Sequence, residues 1–400
     1  MQIEKKCVII YISIKNEIGR TDMISIALLG FGCVGGGTAE VLTENKKIIE
    51  ERLGCEYKIK YILDLRDFPD SPFGDLVIHD FNTILEDKEV SIVAEMMGGS
   101  HPAYDFTKAC LEAGKNVVTS NKEVVAKFGV ELGAIAAANG VRYMFEASVG
   151  GGIPVIRPMM TDLASNKITK INGILNGTTN YILTSMRDDA KTFESALGEA
   201  QRLGYAEANP TADVGGFDTA RKTVILAAIA TGKLISTDAI SIQGITEITL
   251  KDVEAAEKLG YHIKLIGHAE VNDGKTLAFV SPMAVSNANP LGRIDDVFNG
   301  IFVNANMVGE VMFYGPGAGK LPTASAVVAD IVDVIAKRNF APTPLGWTVA
   351  DASDVGDISE YVCPRLVVCE NNAYVTEGMN EAEAEKLLAT PGVLSVYRVL

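Results

Sequence analysis

Apolar residues at the start of this chain gather into short runs, separated by longer stretches of helical spacing. Ile24–Leu29 is the first run. Lys58–Leu63, Ser91–Ala94, Asn116–Thr119 and Arg142–Phe145 follow as strand-like segments. Short apolar runs bounded by turn residues read as strands buried on both faces. Between them, Val34–Leu42, Pro102–Ala113 and Glu123–Ala138 read as helices. Strand–helix alternation predicts an α/β fold with a doubly wound parallel sheet. Ligands of such sheets bind beyond the carboxyl ends of the strands.

The pattern changes after Glu146-Ala-Ser-Val149-Gly-Gly-Gly-Ile153-Pro154, a glycine-rich hinge. Ile168–Leu175 is a predicted strand, and Asn176–Tyr181 opens a helix. Phe193–Leu203 is a second helix. The apolar run Thr223–Ala230 is a third, beginning near Gly216. Tyr261–Glu270 and Thr276–Val285 read as adjacent antiparallel strands turned by Asn272-Asp-Gly-Lys. Gly300–Val308 and Glu310–Phe313 continue this strand-rich region, and Pro322–Arg338 is a helix that returns to the first domain. In the tail, strand-like Arg365–Val368 and Val393–Val399 flank an acidic helix, Asn380–Leu388. The expected domains are residues 23–150 with 320–340, residues 151–319 as an α+β unit, and a short unit over 350–400.

Residues 1–22 read as a disordered extension, or as residues before a true start at Met23. Lys5–Lys6 ahead of Cys7–Ile14 imitates a signal peptide, but the apolar run is only about eight residues and no small-residue cleavage site follows.

Composition narrows the class. A chain of 400 residues with 48% apolar and 22% charged positions is ordinary for a globular protein. The net charge of −15 argues against nucleic acid or an anionic membrane as partner. The six cysteines show no CxxC spacing, which fits reduced thiols in a cytoplasmic protein. With four histidines, no HExxH and no GxSxG, a transition-metal enzyme and a serine hydrolase are both disfavoured.

The chemistry begins at Gly30-Phe31-Gly32-Cys33-Val34-Gly35, a GxGxxG between a predicted strand and a predicted helix. Gly30 allows the tight turn, Gly32 lets the backbone approach a pyrophosphate, and Gly35 lets helix and strand pack closely. The first sheet is therefore of Rossmann type. Asp64, at the end of the second strand, is suited to a ribose hydroxyl of NAD, and Arg66 to the 2′-phosphate of NADP. The sequence leaves these alternatives open. Met97-Gly98-Gly99 and Ser120-Asn121-Lys122 follow the next two strands, which puts Lys122 at the binding rim. Gly315-Pro-Gly-Ala-Gly319-Lys320 imitates a phosphate loop, but its spacing is one residue short and Leu321 follows. Its glycines instead let the backbone pass close to a ligand.

The richest stretch is Gly204–Lys222, GYAEANPTADVGGFDTARK, which gathers Glu207, Asp213, Asp218 and Lys222. Asp218 and Lys222 are four apart, so a helix starting near Gly216 points both from one face. Such pairs are usually solvated surface pairs. Beside a buried helix start, however, a carboxylate next to a lysine is suited to proton transfer.

With these residues in place, the chain resembles the homoserine dehydrogenases from about Ile24 to Arg338. The motifs are ALLGFGCVGGG, MMGG, GKNVVTSNKE, FEASVGGGIPVI, GILNGTTNYIL, GYAEANPTADVGGFDTARK and GPGAGKLPTASAVVADI. The resemblance implies NAD(P)-dependent interconversion of L-homoserine and L-aspartate 4-semialdehyde, on the route to threonine, methionine and isoleucine. It implies proton transfer by Lys222, with Asp218 orienting the substrate or a water and Lys122 as a second lysine. Glu207 would hold the substrate ammonium with Asp213, near Tyr205, Gly177 and Thr178. Cofactor contacts would come from Gly30, Phe31, Gly32, Cys33, Val34, Gly35, Arg66, Ser120, Lys122 and Gly319. A sodium ion would sit near the hinge at Glu146, Val149, Gly151 and Ile153, held largely by backbone carbonyls. The implied fold adds a substrate and dimerisation domain, hence a homodimer or a dimer-based oligomer, and a C-terminal ACT-like βαβ unit. Residues 350–400 have room for about one such half, which puts threonine feedback in doubt. No kinase segment precedes the dehydrogenase motifs, so a monofunctional enzyme is expected.

Two other readings compete. The first is another NAD(P) dehydrogenase of a small amino acid or semialdehyde; aspartate-semialdehyde dehydrogenase itself would need a catalytic cysteine near a histidine, and no cysteine here lies in a matching motif. A non-catalytic dinucleotide sensor would tolerate loss of Lys222 and Asp218, yet both are present.

Overall fold

In the computed structural model, which describes residues 23–400, the first half builds a six-stranded sheet. Its strands are β1 (Ile24–Leu29), β2 (Tyr57–Leu63), β3 (Val77–Ile78), β4 (Val90–Glu95), β5 (Asn116–Thr119) and β6 (Tyr143–Met144). All pairings are parallel, in the order β3-β2-β1-β4-β5-β6. The order reverses between β1 and β4, so the crevice beyond their carboxyl ends is the switch point at which such folds bind ligands. The apolar runs of β1 and β4 are buried almost throughout, because helices cover both faces. The charged stretch between β1 and β2 adds a second helix, Lys46–Leu53, to the expected first one, Cys33–Glu44.

The second half builds a nine-stranded mixed sheet. Its path is β13 (Gly309–Pro316), β12 (Phe298–Ala305), β7 (Ile168–Ile174), β10 (Tyr261–Asn272), β11 (Lys275–Ser286), β17 (Val393–Val399), β15 (Arg365–Cys369) and β16 (Ala373–Val375). Strand β9 (Ser241–Ile242) adds to β11, and β8 (Lys233–Leu234) pairs separately with β14 (Thr348–Val349). Strands β10 and β11 run antiparallel along their whole length. Both residues of their turn, Asp273 and Gly274, have positive φ, as a tight hairpin requires.

The helix Phe217–Thr231 lies against β10 and β11 and is buried around most of its circumference. Gly216 and Gly232 bracket it with φ of 84° and 74°. Both are left-handed conformations that glycine takes without strain. The helix Lys320–Ala336 packs against Cys33–Glu44, where Gly37 leaves room for Lys320 and Ala324. The chain therefore returns to the first sheet, two residues earlier than the predicted Pro322–Arg338.

Some expectations differ from what is seen. The segments Gly300–Val308 and Glu310–Phe313, expected as strands, form an antiparallel hairpin of two full strands over 298–305 and 309–316. A helix at Leu250–Lys258, closed by a Thr249/Asp252 capping box, was not anticipated. The tail unit is not a free-standing βαβ module. Strands β15 and β17 are antiparallel, and β17 joins the edge of β11, so the tail extends the second sheet. The sequence pattern marked β15 and β17 but missed β16, and it carried no sign of their non-local partner. Residues 1–22, read above as an extension, lie outside the described residues.

Candidate active site

Helix Phe217–Thr231 begins its first turn with Asp218, and Lys222 stands one turn later on the same face. Asp218 is 5% exposed and Lys222 8%. The Lys222 ammonium donates to Asp218 Oδ2 at 2.7 Å and to the carbonyl of Leu175, just past β7, at 2.6 Å. From the other half of the molecule, Lys122 brings its Nζ to 2.9 Å from Asp218 Oδ1. Lys122 is the first residue of the helix Lys122–Ala138, which follows β5 at the rim of the parallel sheet. One buried carboxylate thus holds two lysines that arrive from different sheets.

The electrostatics follow from this arrangement. Burial lowers the proton affinity of Lys222. Asp218 opposes that effect and Lys122 adds to it, leaving Lys222 below the usual lysine range. Lys122 is more open, and the Asp218 charge moves it upward. Burial alone would raise Asp218, but the two lysines and the amide of Asn176 outweigh it and hold the carboxyl well below its ordinary range. Asp213 moves up, chiefly by burial and then by the Asp218 charge, while Asn176 opposes the shift.

Asn176 is a member of the cluster that sequence reasoning took only as a helix opener. Its Nδ2 donates to Asp213 Oδ1 at 2.7 Å and to Asp218 Oδ2 at 2.9 Å. Glu95, at the end of β4, was also missed. It is fully buried, and it accepts from Thr119 Oγ1 at 2.6 Å and from the Met97 amide at 2.8 Å. Asn121 caps the Lys122 helix through the amide of Val124 and also donates to the Gly99 carbonyl. Glu95, Thr119 and Asn121 together fix the rim from which Lys122 projects. The only sequence signal was a glutamate ending an apolar run.

The other predicted substrate residues surround this cluster. Gly177 follows Asn176 directly, and a side chain there would run into the Val297 carbonyl. The Thr178 hydroxyl donates to the Tyr205 carbonyl at 2.6 Å, and the Tyr205 and Tyr181 rings lie 5.0 Å apart. Glu207 is not drawn into the cluster. It sits on the exposed segment after helix Phe193–Arg202, and among the described residues its carboxylate has no protein partner.

The glycine-rich turn fits a dinucleotide. Gly30 takes φ of 91°, and a methyl group on Gly35 would stand 2.0 Å from the Gly30 carbonyl oxygen. Above Gly32 there is open space, and helix Cys33–Glu44 starts without a side-chain cap, leaving its first amides to face an anion. Cys33 is exposed and Val34 partly so. The Phe31 amide is already used, since it donates to Asp64 Oδ2 at 2.8 Å. Arg66 forks onto Asp64 through Nε and Nη2, both at 3.0 Å, and this holds Asp64 down at about 2. The Ser120 amide donates to the Glu95 carbonyl, and Gly319, with φ of 120°, precedes helix Lys320–Ala336.

At the hinge, both oxygens of Glu146 accept amides, those of Val155, Ile156 and Arg157. The Glu146 side chain is therefore a helix cap. Among the described residues, the carbonyls of Val149, Gly151 and Ile153 accept no protein hydrogen bond, so they are free for a cation. A cavity of about 510 Å³, lined by Ala136, Phe145, Ile156, Asp330 and Leu345, includes no member of the lysine–aspartate cluster.

Comparison with known proteins gives consistent relatives. A family profile described as "Homoserine dehydrogenase, NAD binding domain" matches residues 30–146, and one described as "Homoserine dehydrogenase" matches residues 154–332. The homoserine dehydrogenase of Neisseria gonorrhoeae is 42% identical over 318 residues, covering 78% of this chain and 72% of the relative. That of Bacillus subtilis is 39% identical over 324 residues, covering 80% and 75%. Among solved structures, a homoserine dehydrogenase from Thiobacillus denitrificans aligns with a TM-score of 0.86 at 33% identity, over 94% of this chain and 98% of that one. A hyperthermophilic archaeal homoserine dehydrogenase mutant in complex with NADPH aligns with a TM-score of 0.68 at 29% identity, over 80% and 98%.

Proposed function

The chain belongs to the homoserine dehydrogenase family, and from that premise we propose how its own residues carry out the reaction. The reaction is the NAD(P)-dependent interconversion of L-homoserine and L-aspartate 4-semialdehyde, in threonine, methionine and isoleucine biosynthesis. The observation that carries the assignment is the buried Asp218 carboxylate held by Lys222 and Lys122 from opposite halves of the molecule.

In the reducing direction a nicotinamide cofactor held at the glycine turn and the rim of the parallel sheet would supply the hydride for the aldehyde carbon. The nascent alkoxide then needs a proton. Lys222 holds one at Nζ, and burial together with Lys122 makes that proton easier to release. Asp218 keeps Lys222 in place and orients the substrate oxygen or an ordered water. Asp213 and Glu207 receive the substrate ammonium, and the open position of Glu207 suits a group that engages only when substrate arrives. Tyr205, Gly177 and Thr178 shape the wall beside it.

Residues 23–150 with 320–340 serve as the cofactor unit and residues 151–319 as the substrate unit. Gly30–Gly35, Ser120, Lys122 and Gly319 border the cofactor. Four protein donors, the amides of Phe31 and Arg66 and two guanidinium nitrogens, fill the Asp64 carboxylate. This favours Arg66 and a 2′-phosphate over a ribose hydroxyl on Asp64. The free carbonyls of Val149, Gly151 and Ile153, with that of Glu146, suit a sodium ion that would brace the hinge. The exposed apolar face of β12 and β13, with Phe298, Met312 and Tyr314, suits pairing with a second copy. No helix among the described residues is long and apolar enough to cross a membrane, and we place the enzyme in the cytoplasm.

The test is oxidation of NADPH and NADH, followed at the nicotinamide absorbance, with L-aspartate 4-semialdehyde. Lys222→Ala is expected to cut turnover by about 10²–10⁴, as loss of an acid/base group does, with cofactor binding nearly unchanged. Near-normal turnover would remove Lys222 from the mechanism.

A further inference from the structure

Asn176 is 5% exposed, and the two ends of its amide do different work. Its Oδ1 accepts the Thr179 amide at 2.9 Å and so caps the helix Gly177–Asp188. A backbone amide needs an acceptor, so this bond fixes which way the side-chain amide points. Nδ2 therefore faces the other way with two hydrogens, and two carboxylates are there to take them, Asp213 at 2.7 Å and Asp218 at 2.9 Å.

We infer that Asn176 is a positioning residue for the reaction: one amide clamps the carboxylates of Asp213 and Asp218 while the same side chain caps the helix that carries Gly177 and Thr178. The inference rests on the roles proposed above for Lys222, Asp218 and Asp213. Both hydrogens of the amide nitrogen are committed to carboxylates, and its oxygen accepts the Thr179 amide. Two carboxylates this close in a largely dry site repel each other, and a shared donor relieves that repulsion. The charged groups facing Asp213 are Asp218 and Lys222 from helix Phe217–Thr231 and Lys122 from helix Lys122–Ala138. Both lysines favour the ionised Asp213, and Asp218 and burial disfavour it. Asn176 supplies its one side-chain hydrogen bond. Without that bond, Asp213 takes up a proton at higher pH and loses its attraction for an ammonium group.

The test uses Asn176→Ser and Asn176→Asp. Serine and aspartate cap helices about as well as asparagine, so both variants keep the helix start. Neither can donate to two carboxylates, and the aspartate adds a third. Wild-type reduction of L-aspartate 4-semialdehyde is measured alongside, and its absence would count against the underlying reading rather than against this inference. With wild type active, kcat/KM for L-aspartate 4-semialdehyde, whose reduction needs Lys222 protonated so that Lys222 does not set the acid limb, should fall about tenfold at the acid end of the pH profile in Asn176→Ser, the loss expected for a hydrogen bond to a charged group. The acid limb should move to higher pH, melting temperature should stay close to wild type, and Asn176→Asp should lose more. If both folded variants superimpose on the wild-type pH profile, Asn176 is a cap and nothing else, and the inference is overturned. Should the serine variant fail to fold, the isosteric aspartate variant decides the matter alone.

Discussion

Replacing Asp218 with asparagine isolates what its charge does to Lys222. The two groups are 2.7 Å apart and both buried, with side chains 10% and 7% exposed. At an effective dielectric constant near 20, the direct attraction at that distance is on the order of 6 kcal/mol. Most of it offsets the cost of removing both charges from water. If only a quarter acts on the lysine, the difference is about 1.5 kcal/mol, or roughly one pH unit. The sign is fixed by the geometry. Burial already lowers Lys222 and Asp218 opposes that, so losing the charge lets Lys222 give up its proton at lower pH. Reduction of the semialdehyde needs the protonated lysine, so its alkaline limb should move down by about one unit or more. Oxidation of homoserine needs the neutral lysine, so its acid limb should move down as well. The assay is kcat/KM in both directions across pH, on protein whose circular dichroism matches wild type. Asparagine keeps the volume and still accepts a hydrogen bond, so packing changes little. Limbs that stay in place, in a variant that still turns over, would show that Lys222 is not the titrating group or that Asp218 is not its counter-ion.

Two further outcomes are expected. Arg66→Ala should raise KM for NADPH more than for NADH, measured with saturating substrate, if the variant loses the cation proposed to meet a 2′-phosphate and keeps the rest of the turn; equal increases would exclude Arg66 from that contact. Asp330 lies buried against Arg157, and burial pushes its carboxyl up to about 7, so the folded protein holds a proton there that the unfolded chain releases near 4. Stability tied to this group is complete below the unfolded value and is lost as pH rises through about 7. Chemical denaturation at pH 5 and pH 8 should therefore show wild type losing more stability than Asp330→Asn, by up to roughly 3 kcal/mol; parallel losses would show that Asp330 is ionised throughout.

The legible parts of this molecule were the local ones. The glycine turn after β1 and the strand–helix alternation around it are set by neighbours in sequence, as is the four-residue step from Asp218 to Lys222. The site itself is assembled by contacts between distant residues. Nothing near Lys122 announces that its ammonium reaches Asp218 in the other half of the chain. Asn176 reads as an ordinary helix cap because the carboxylates it also serves come from a later segment. Glu95 looks like the polar end of a strand, and its burial depends on Thr119 and the Met97 amide. The same physics explains the tail. The alternation in Val393–Val399 marks a strand but cannot say that β11 is its neighbour. Helix Leu250–Lys258 was within reach, since Thr249 and Asp252 have capping-box spacing at its start.

The chain passes between the cofactor unit and the substrate unit at three places, the hinge at 146–154, the turn at 316–320 and the segment 337–347 that leads from helix Lys320–Ala336 to β14. The first two lie side by side. The Gly152 amide donates to the Pro316 carbonyl at 3.2 Å, and a side chain on Gly151 would stand 2.5 Å from the backbone of Gly317. Two adjacent tethers act as a door hinge does. They resist sliding and twisting of one unit against the other, and the third crossing, which packs Leu345 and Trp347 on Gly133 and Gly129, limits rotation about the line between them. The Lys122–Asp218 contact closes across that line. The angle between the units and the spacing of the reacting groups are thus one variable, and whatever stiffens the paired glycine backbones sets how sharply it is defined.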